Sequence, residues 1–258
     1  MSDLLSEIQD RVLLITLNRI AKHNAFDNTL LADLQLLLDE AENNQNVRVI
    51  VLKANGRHFC AGADLAWMKR MAAFSEEENQ ADATVLARVM YTIYQSSKPT
   101  LAMIQGAAFG GGAGLVAACD IAIAADNAQF CFSEVKLGLI PAVISPYVIK
   151  AIGERAATWL FTSAEPFDAK RALELQLVQR CVPEEELLTY TLDYAQQIAQ
   201  LAPLAVGEAK SLVRQVAGVP INEALVRTTA DLIAKKRVSA EGQRGLQAFI
   251  NKETPNWD

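Results

Sequence analysis

The sequence has few of the residues on which metal centres, disulfide scaffolds and nucleic-acid surfaces depend. It contains two histidines and four cysteines in 258 residues, and no two cysteines form a CxxC pair. Neither a zinc centre nor a disulfide-stapled fold is therefore indicated, and we expect no bound metal. Aromatic residues make up only 7% of the chain and the formal net charge is -6, which together argue against a nucleic-acid binder.

The chain also lacks a recognisable targeting or membrane segment. Its first ten residues, MSDLLSEIQD, carry acidic side chains and no basic ones. No apolar run approaches the roughly 18 residues that a membrane-spanning helix requires. These absences predict a cytoplasmic protein that does not interact with membranes.

The apolar residues that are present follow an α/β pattern. Val12–Asn18 and Val47–Ala54 have the composition of strands, and Asn28–Asn44 between them has the apolar spacing of a helix. Thr100–Gln105 and Ile121–Ala124 are typical of buried strands and flank a glycine-rich insert. This alternation predicts an α/β core with crossover connections.

The end of the chain is helical in pattern. Leu187–Leu201, Val206–Val216 and Ile221–Ile250 have helical apolar spacing and almost no strand signal. We expect an α/β core over residues 1–195 and a helical region over 196–258. That region carries more apolar positions than a thin layer over one core would bury, which predicts contact with another subunit.

Two segments of small residues are candidates for ligand contact through the backbone. The first is Phe59–Leu65 (FCAGADL), which follows the second predicted strand, and the other is Gly106–Gly114, with three adjacent glycines. Small residues let a ligand approach the main chain, and N–H groups at a helix start have no intrahelical partner. A tight structural turn, or close packing of a helix on a sheet, would produce the same composition.

A third segment, Phe132–Pro141 (FSEVKLGLIP), places one carboxylate in apolar surroundings. A carboxylate that loses hydration has a raised pKa and can exchange protons near neutral pH. Glu134 is therefore the best candidate for an acid–base residue. Taken alone, a single glutamate is as compatible with a surface or helix-cap position.

The order of these three segments resembles the signatures of the enoyl-CoA hydratase and isomerase family, the crotonase superfamily. FCAGADL, AAFGGGAGLVAACDIAIA and FSEVKLGLIP carry the resemblance, and NRIAKHNAF and FDAKRALELQLVQRCVP extend it over nearly the whole chain. AGADLAWMKRM, LIPAVISPYV and LQAFINKETPNW are similar to bacterial methylglutaconyl-CoA hydratases. The resemblance implies a crotonase-like ββα spiral core with a C-terminal helical oligomerisation region, assembled as a homotrimer or homohexamer.

The resemblance also implies roles for individual residues. The backbone N–H groups of Ala63 and Gly111 would bind the thioester oxygen of an acyl-CoA, with Glu134 as the catalytic acid–base. Coenzyme A would belong to the substrate, and no separate cofactor is expected. The residues implied in substrate or CoA binding are Lys22, Ala25, Ala61, Asp64, Leu65, Trp67, Met68, Gly110, Pro141 and Ile144. Lys69, Arg70 and Lys136 are candidates to meet a second carboxylate on the acyl group.

One position departs from the pattern of many hydratases in this family. They carry a second glutamate two residues after the three glycines, where this chain has Gly114. The main expectation is hydration of methylglutaconyl-CoA or another branched enoyl-CoA. An isomerase with Glu134 as its single proton shuttle and a non-catalytic scaffold that binds CoA thioesters remain as alternatives.

Overall fold

The computed structural model describes residues 2–257 and contains two sheets surrounded by helices. The larger sheet has six strands in the order β1-β2-β3-β4-β6-β9, and the smaller one has three in the order β5-β7-β8. The strands are β1 (Leu4–Gln9), β2 (Val12–Leu17), β3 (Val49–Ala54), β4 (Thr100–Ile104), β5 (Ala107–Phe109), β6 (Ile121–Ala125), β7 (Gln129–Cys131), β8 (Phe167–Asp168) and β9 (Arg180–Val182).

Helices cover the sheets and form the end of the chain. They are α1 (Asn28–Asn43), α2 (Leu65–Met71), α3 (Glu76–Gln95), α4 (Gly111–Ala118), α5 (Ser145–Ser163), α6 (Ala169–Glu174), α7 (Leu187–Ala199), α8 (Pro203–Val216), α9 (Glu223–Val238) and α10 (Ala240–Asn251). Three short 3-10 turns lie at Ile20–Lys22, Glu134–Leu137 and Glu184–Glu186.

Local sequence explains where the main helices begin. The Asp27 carboxylate accepts the Leu30 N–H at 3.0 Å and starts α1. At the start of α3, Ser75 and Glu78 cap each other's backbone N–H groups in a capping box. These side chains satisfy N–H groups that have no intrahelical partner.

The larger sheet brings the candidate segments to one edge. β2, β3, β4, β6 and β9 run parallel, and only β1 pairs antiparallel with its neighbour. The carboxyl ends of parallel strands lie at the same edge of a sheet. The segments that follow β3 and β4 therefore meet, and the Cys60↔Ala108 bridge joins them directly.

The core lies on both faces of the larger sheet. One cluster packs beneath α1, α3, α4 and α5, and a second, which includes Val12, Val49 and Leu101, packs beneath α7. α7 contributes the buried residues Leu187 and Ala195 to that second cluster. The expected boundary between residues 195 and 196 falls within α7, whose Ala195 and Ala199 both belong to this cluster.

The α/β class expected from the sequence is confirmed, with small differences in the elements. The long pattern over residues 221–250 forms two helices, because Ser239 ends α9 and its side chain caps α10 by accepting the Gly242 N–H. β1, β5, β7 and β8 were not expected. Within residues 2–257, no helix combines the length and apolar character that crossing a membrane requires.

Candidate active site

The two small-residue segments touch through their backbones. A Cβ added to Gly112 would lie 2.5 Å from the Cys60 carbonyl oxygen, and one added to Gly62 would lie 3.2 Å from the Phe109 carbonyl oxygen. The Phe109 N–H also donates to the Cys60 carbonyl at 3.0 Å. A side chain at either position would collide with the other segment, so glycine is required for the two backbones to approach this closely.

Both N–H groups expected to bind a thioester oxygen are available in this arrangement. Ala63 forms a parallel bridge with Phe26. Its two hydrogen bonds join Phe26 to Gly62 and Asp64, and the Ala63 N–H takes no part in them. Gly111 is the first residue of α4, where an N–H has no intrahelical partner. No acceptor within residues 2–257 is paired with the N–H of either residue.

Glu134 lies beside the start of α4. A Cβ on Gly110 would be 3.3 Å from Glu134 Oε1, and Gly110 has a φ of +50° that L side chains rarely adopt. Glu134 Oε2 is buried without a hydrogen-bond partner. Burial raises the pKa of the Glu134 carboxyl above its ordinary value of 4.5, and a hydrogen bond with its own backbone N–H opposes this only in part. The carboxyl group is thus poorly solvated and prepared for proton exchange.

The space beside Gly114 is filled by apolar side chains. A Cβ at this position would lie 2.2 Å from Ile144 Cγ2 and 2.8 Å from Met90 Cε. Ile144 and Met90 are both almost completely buried. A carboxylate at position 114 therefore has no room without displacement of Ile144, and Glu134 stays the acid–base candidate indicated by the sequence.

Asp64 holds the turn that contains Ala63. Its carboxylate accepts the Ala66 and Trp67 N–H groups at 2.8 and 3.1 Å and caps α2. Burial acts to raise the pKa of Asp64, but these hydrogen bonds and the charges of Lys22 and Arg19 hold it below its ordinary value of 3.8. The side chain of Asp64 is thus committed to the fold of the turn.

Arg19 joins the two chain segments that flank this turn. Its guanidinium donates to the Ala25 carbonyl at 2.7 Å and forms ion pairs with Asp27 at 3.1 Å and Asp64 at 3.7 Å. Lys22 also lies 3.7 Å from Asp64 and remains exposed. Arg19 was not singled out from the sequence, although it lies in the NRIAKHNAF segment. Nothing in that segment of the sequence indicates the aspartates that Arg19 meets in the fold.

Trp67 packs in the interior. Its ring makes an edge contact with Phe26, with centroids 5.8 Å apart, and its indole N–H donates to Asp82 at 2.9 Å. Phe26 in turn contacts Gly111, because a Cβ there would lie 2.4 Å from Phe26 Cζ. Phe26 was also missed by sequence reasoning, since a single apolar residue carries no signal of its neighbours.

The other residues expected to bind substrate differ in exposure. Ala25 and Pro141 are buried, Met68 is half-buried, and Leu65 is largely exposed on the first turn of α2. The N–H of Ala61 is already used, because it donates to the His23 carbonyl at 3.0 Å. These residues therefore lie around the Ala63 turn or just before α5.

The Cys60 thiol and a cavity near Asp120 are two further features of the chain. Burial raises the pKa of the Cys60 thiol to about 12, which keeps it neutral and unsuited to nucleophilic attack at neutral pH. A cavity of about 850 Å³ lies at the amino ends of β4 and β6, where Asp120, Lys210 and Arg214 are among its lining residues. It does not include Glu134, Ala63 or Gly111.

The fold and the site together define a class of protein. The structure superimposes on a Legionella pneumophila protein described as an enoyl CoA hydratase/isomerase (crotonase), with a TM-score of 0.97, 67% identity and complete coverage of both chains. It also matches an enoyl-CoA hydratase from Shewanella pealeana, with a TM-score of 0.95 and 42% identity over 99% of this chain and 96% of that one. The chain therefore has the crotonase fold, as the sequence resemblance implied.

Sequence comparison identifies the family. The enoyl-CoA hydratase/isomerase profile matches residues 7–258. The 2,3-dehydroadipyl-CoA hydratase of Escherichia coli is 33% identical over 259 aligned residues, covering 100% of this chain and 99% of that protein. The chain belongs to the enoyl-CoA hydratase/isomerase family and is an enzyme of that family.

Replacing Glu134 by glutamine should alter how stability depends on pH. A folded-state pKa raised above 4.5 means that the wild-type protein loses stability as pH rises through that pKa. The amide does not titrate, so Glu134→Gln should become more stable than wild type above pH 4.5 and lose this advantage below it. Urea unfolding over a pH series measures the difference, with the exposed Glu154→Gln as the surface-charge control. Parallel stability profiles would contradict the buried setting of Glu134.

Proposed function

We propose that this enzyme hydrates an α,β-unsaturated acyl-CoA, with methylglutaconyl-CoA as the first substrate to test. The observation that carries the proposal is the buried, unpartnered Oε2 of Glu134 beside the Gly110 turn. Coenzyme A enters as part of the substrate, no other cofactor is invoked, and the expected location is the cytoplasm. The resemblance of AGADLAWMKRM and LIPAVISPYV to methylglutaconyl-CoA hydratases supports the choice of acyl group.

A single carboxylate can carry out both proton transfers of hydration. Glu134 accepts a proton from water while the water oxygen attacks the β-carbon, and the electron pair moves onto the thioester oxygen. The N–H groups of Ala63 and Gly111 would stabilise that oxygen, each donor contributing about 3 to 4 kcal/mol. The protonated Glu134 then returns the proton to the α-carbon, which completes the addition of one water molecule.

Isomerisation is the second candidate, and one observation favours it. Because Ile144 and Met90 fill the space beside Gly114, no carboxylate at that position could hold the attacking water. Moving a double bond requires only one group that removes a proton and returns it elsewhere, which Glu134 could perform alone. A degenerate binding scaffold is the third alternative, and it would bind CoA thioesters without converting them.

Lys136 is the best placed of the three basic residues to meet a second carboxylate. It lies in the same 3-10 turn as Glu134, and its Nζ is 3.9 Å from Cys131 Sγ. Lys69 and Arg70 lie in the last turn of α2, and all three basic residues are exposed. The relative from Escherichia coli is named for 2,3-dehydroadipyl-CoA, an acyl group with a second carboxylate, which supports a dicarboxylic substrate here.

Glu134→Gln should lower the turnover number of hydration by a factor on the order of 100 or more, because the acid–base group is lost. Loss of conjugated thioester absorbance, with incorporation of labelled water into the product, measures hydration. An isomerase would convert a β,γ-unsaturated thioester without incorporating oxygen, and a scaffold would convert neither. Near-wild-type turnover in the variant would remove Glu134 from the mechanism.

Lys136→Gln should raise KM for methylglutaconyl-CoA by about tenfold, the equivalent of one charged contact, and leave KM for crotonyl-CoA unchanged. A panel of enoyl-CoA thioesters that differ in branching and terminal charge provides the measurement. Lys170→Gln, the same change at an exposed lysine of α6, is the matched control. Equal effects on both substrates would contradict the assignment of Lys136, and rapid turnover of straight-chain substrates alone would exclude methylglutaconyl-CoA.

The enzyme is further proposed to assemble as a homotrimer or homohexamer through its helical end. Exposed apolar side chains support this, namely Ile221, Val238, Phe249 and Ile250 at 89%, 77%, 82% and 70% exposure. Large apolar side chains exposed to this extent are typical of subunit contacts. A rotational ring would bury the same contact in every subunit.

Light scattering coupled to gel filtration should give three or six times the 28.1 kDa mass of one chain. Replacing Phe249 and Ile250 by aspartate should reduce that mass, because charged groups cannot be buried in an apolar contact without cost. Leu36→Asp, which changes an exposed leucine of α1, is the control. A fully active wild-type monomer at micromolar concentration would contradict the proposal.

A further inference from the structure

Phe26 contacts both expected oxyanion donors, Ala63 through its backbone and Gly111 through its ring. Its backbone N–H donates to the Gly62 carbonyl at 2.9 Å, and its carbonyl accepts the Asp64 N–H at 2.9 Å. These two partners are the residues on either side of Ala63. The Phe26 backbone therefore holds the peptide groups around Ala63 in a bridge and leaves the Ala63 N–H free.

The ring of Phe26 reaches the other donor. Its Cζ would lie 2.4 Å from a Cβ on Gly111, and its Cε1 would lie 3.0 Å away, so the end of the ring rests against the Gly111 Cα. Phe26 is 2% exposed, and Trp67 packs edge-on against its ring. The hydrogen bond from the Trp67 indole to Asp82 holds that second ring in turn. The Phe26 ring is therefore held between Gly111 on one side and the Trp67 ring on another.

We propose that Phe26 is a positioning residue that sets the spacing between the N–H groups of Ala63 and Gly111. One rigid side chain connects the two, since its main chain is fixed to the Ala63 turn and its ring supports the first residue of α4. An oxyanion site depends on such preorganised geometry, because its donors must already point at the place where charge develops. The proposal rests on the proposed function of these two donors and adds the residue that fixes the distance between them.

The chemistry of the contact predicts how substitutions act. Phe26→Leu keeps the backbone bridge and an apolar side chain but is too short to support Gly111. A displacement of about 1 Å in a catalytic group can cost on the order of 100-fold in rate, so turnover should fall about 10- to 100-fold with little change in KM. Phe26→Tyr adds a hydroxyl group at Cζ, the atom that faces Gly111, and should also lower turnover.

The decisive measurement is the carbonyl stretching frequency of bound crotonyl-CoA, recorded by Raman spectroscopy in the slow Glu134→Gln background. Hydrogen bonds from both donors polarise the thioester carbonyl and lower this frequency. With Phe26 present the frequency should fall on binding, and with Phe26→Leu it should fall less. Phe26→Met retains more side-chain volume and serves as the second variant if Phe26→Leu is insoluble.

Leu14→Ala is the matched control. Leu14 is 6% exposed and belongs to the core cluster on the other face of the sheet, beneath α7. Its truncation should lower stability, as core truncations do, and leave both turnover and the carbonyl frequency unchanged. This control separates a general loss of packing from a specific effect on the donors.

The outcomes distinguish the positioning role of Phe26 from the oxyanion role of Ala63 and Gly111. If Phe26→Leu and Phe26→Met lower stability but keep wild-type turnover and carbonyl frequency, Phe26 is merely a core residue and the proposal is overturned. If bound crotonyl-CoA shows no lowered frequency even with Phe26 in place, the oxyanion role of Ala63 and Gly111 itself fails. A smaller shift with reduced turnover at unchanged KM supports the positioning role.

Discussion

The rest of the site depends on a backbone contact between the segment after β3 and the segment after β4. The Cys60 carbonyl and the Gly112 Cα are so close that a Cβ on Gly112 would lie 2.5 Å from the oxygen. Main chains approach in this way only where side chains are absent. The contact places the N-terminus of α4 beside the Ala63 turn, so that two segments with no reactive side chains present unpaired N–H groups.

The position of Glu134 follows from the same contact. The turn at Gly110 has a positive φ and leaves room for the Glu134 carboxyl group, which would otherwise meet a side chain. No cation is paired with this carboxylate within residues 2–257, and burial alone accounts for the raised pKa. Apolar packing of Ile144 against Gly114 completes the arrangement, because it removes the space for a competing carboxylate. One poorly solvated carboxyl group therefore lies beside the start of α4, whose first N–H has no intrahelical partner.

The charged groups near the Ala63 turn hold neighbouring chain segments together. Arg19 connects Ala25, Asp27 and Asp64, which flank the Phe26–Ala63 bridge. Half-buried ion pairs of this kind add little net stability, since desolvation offsets much of the attraction. Their value here lies in geometry, because a guanidinium that donates in several directions fixes the relative positions of chain segments.

The sequence by itself determined the α/β class, the β-α-β opening and the helical end, because periodicity is a local property. The order of the three candidate segments indicated the family. Strands of two or three residues such as β5, β7 and β8 carry no periodicity and form only when their partners are present. The tertiary structure alone decided that Ile144 fills the space beside Gly114 and that the Phe26 ring meets Gly111. Those contacts join residues far apart in the chain, and nothing in the composition around either residue records its distant neighbour.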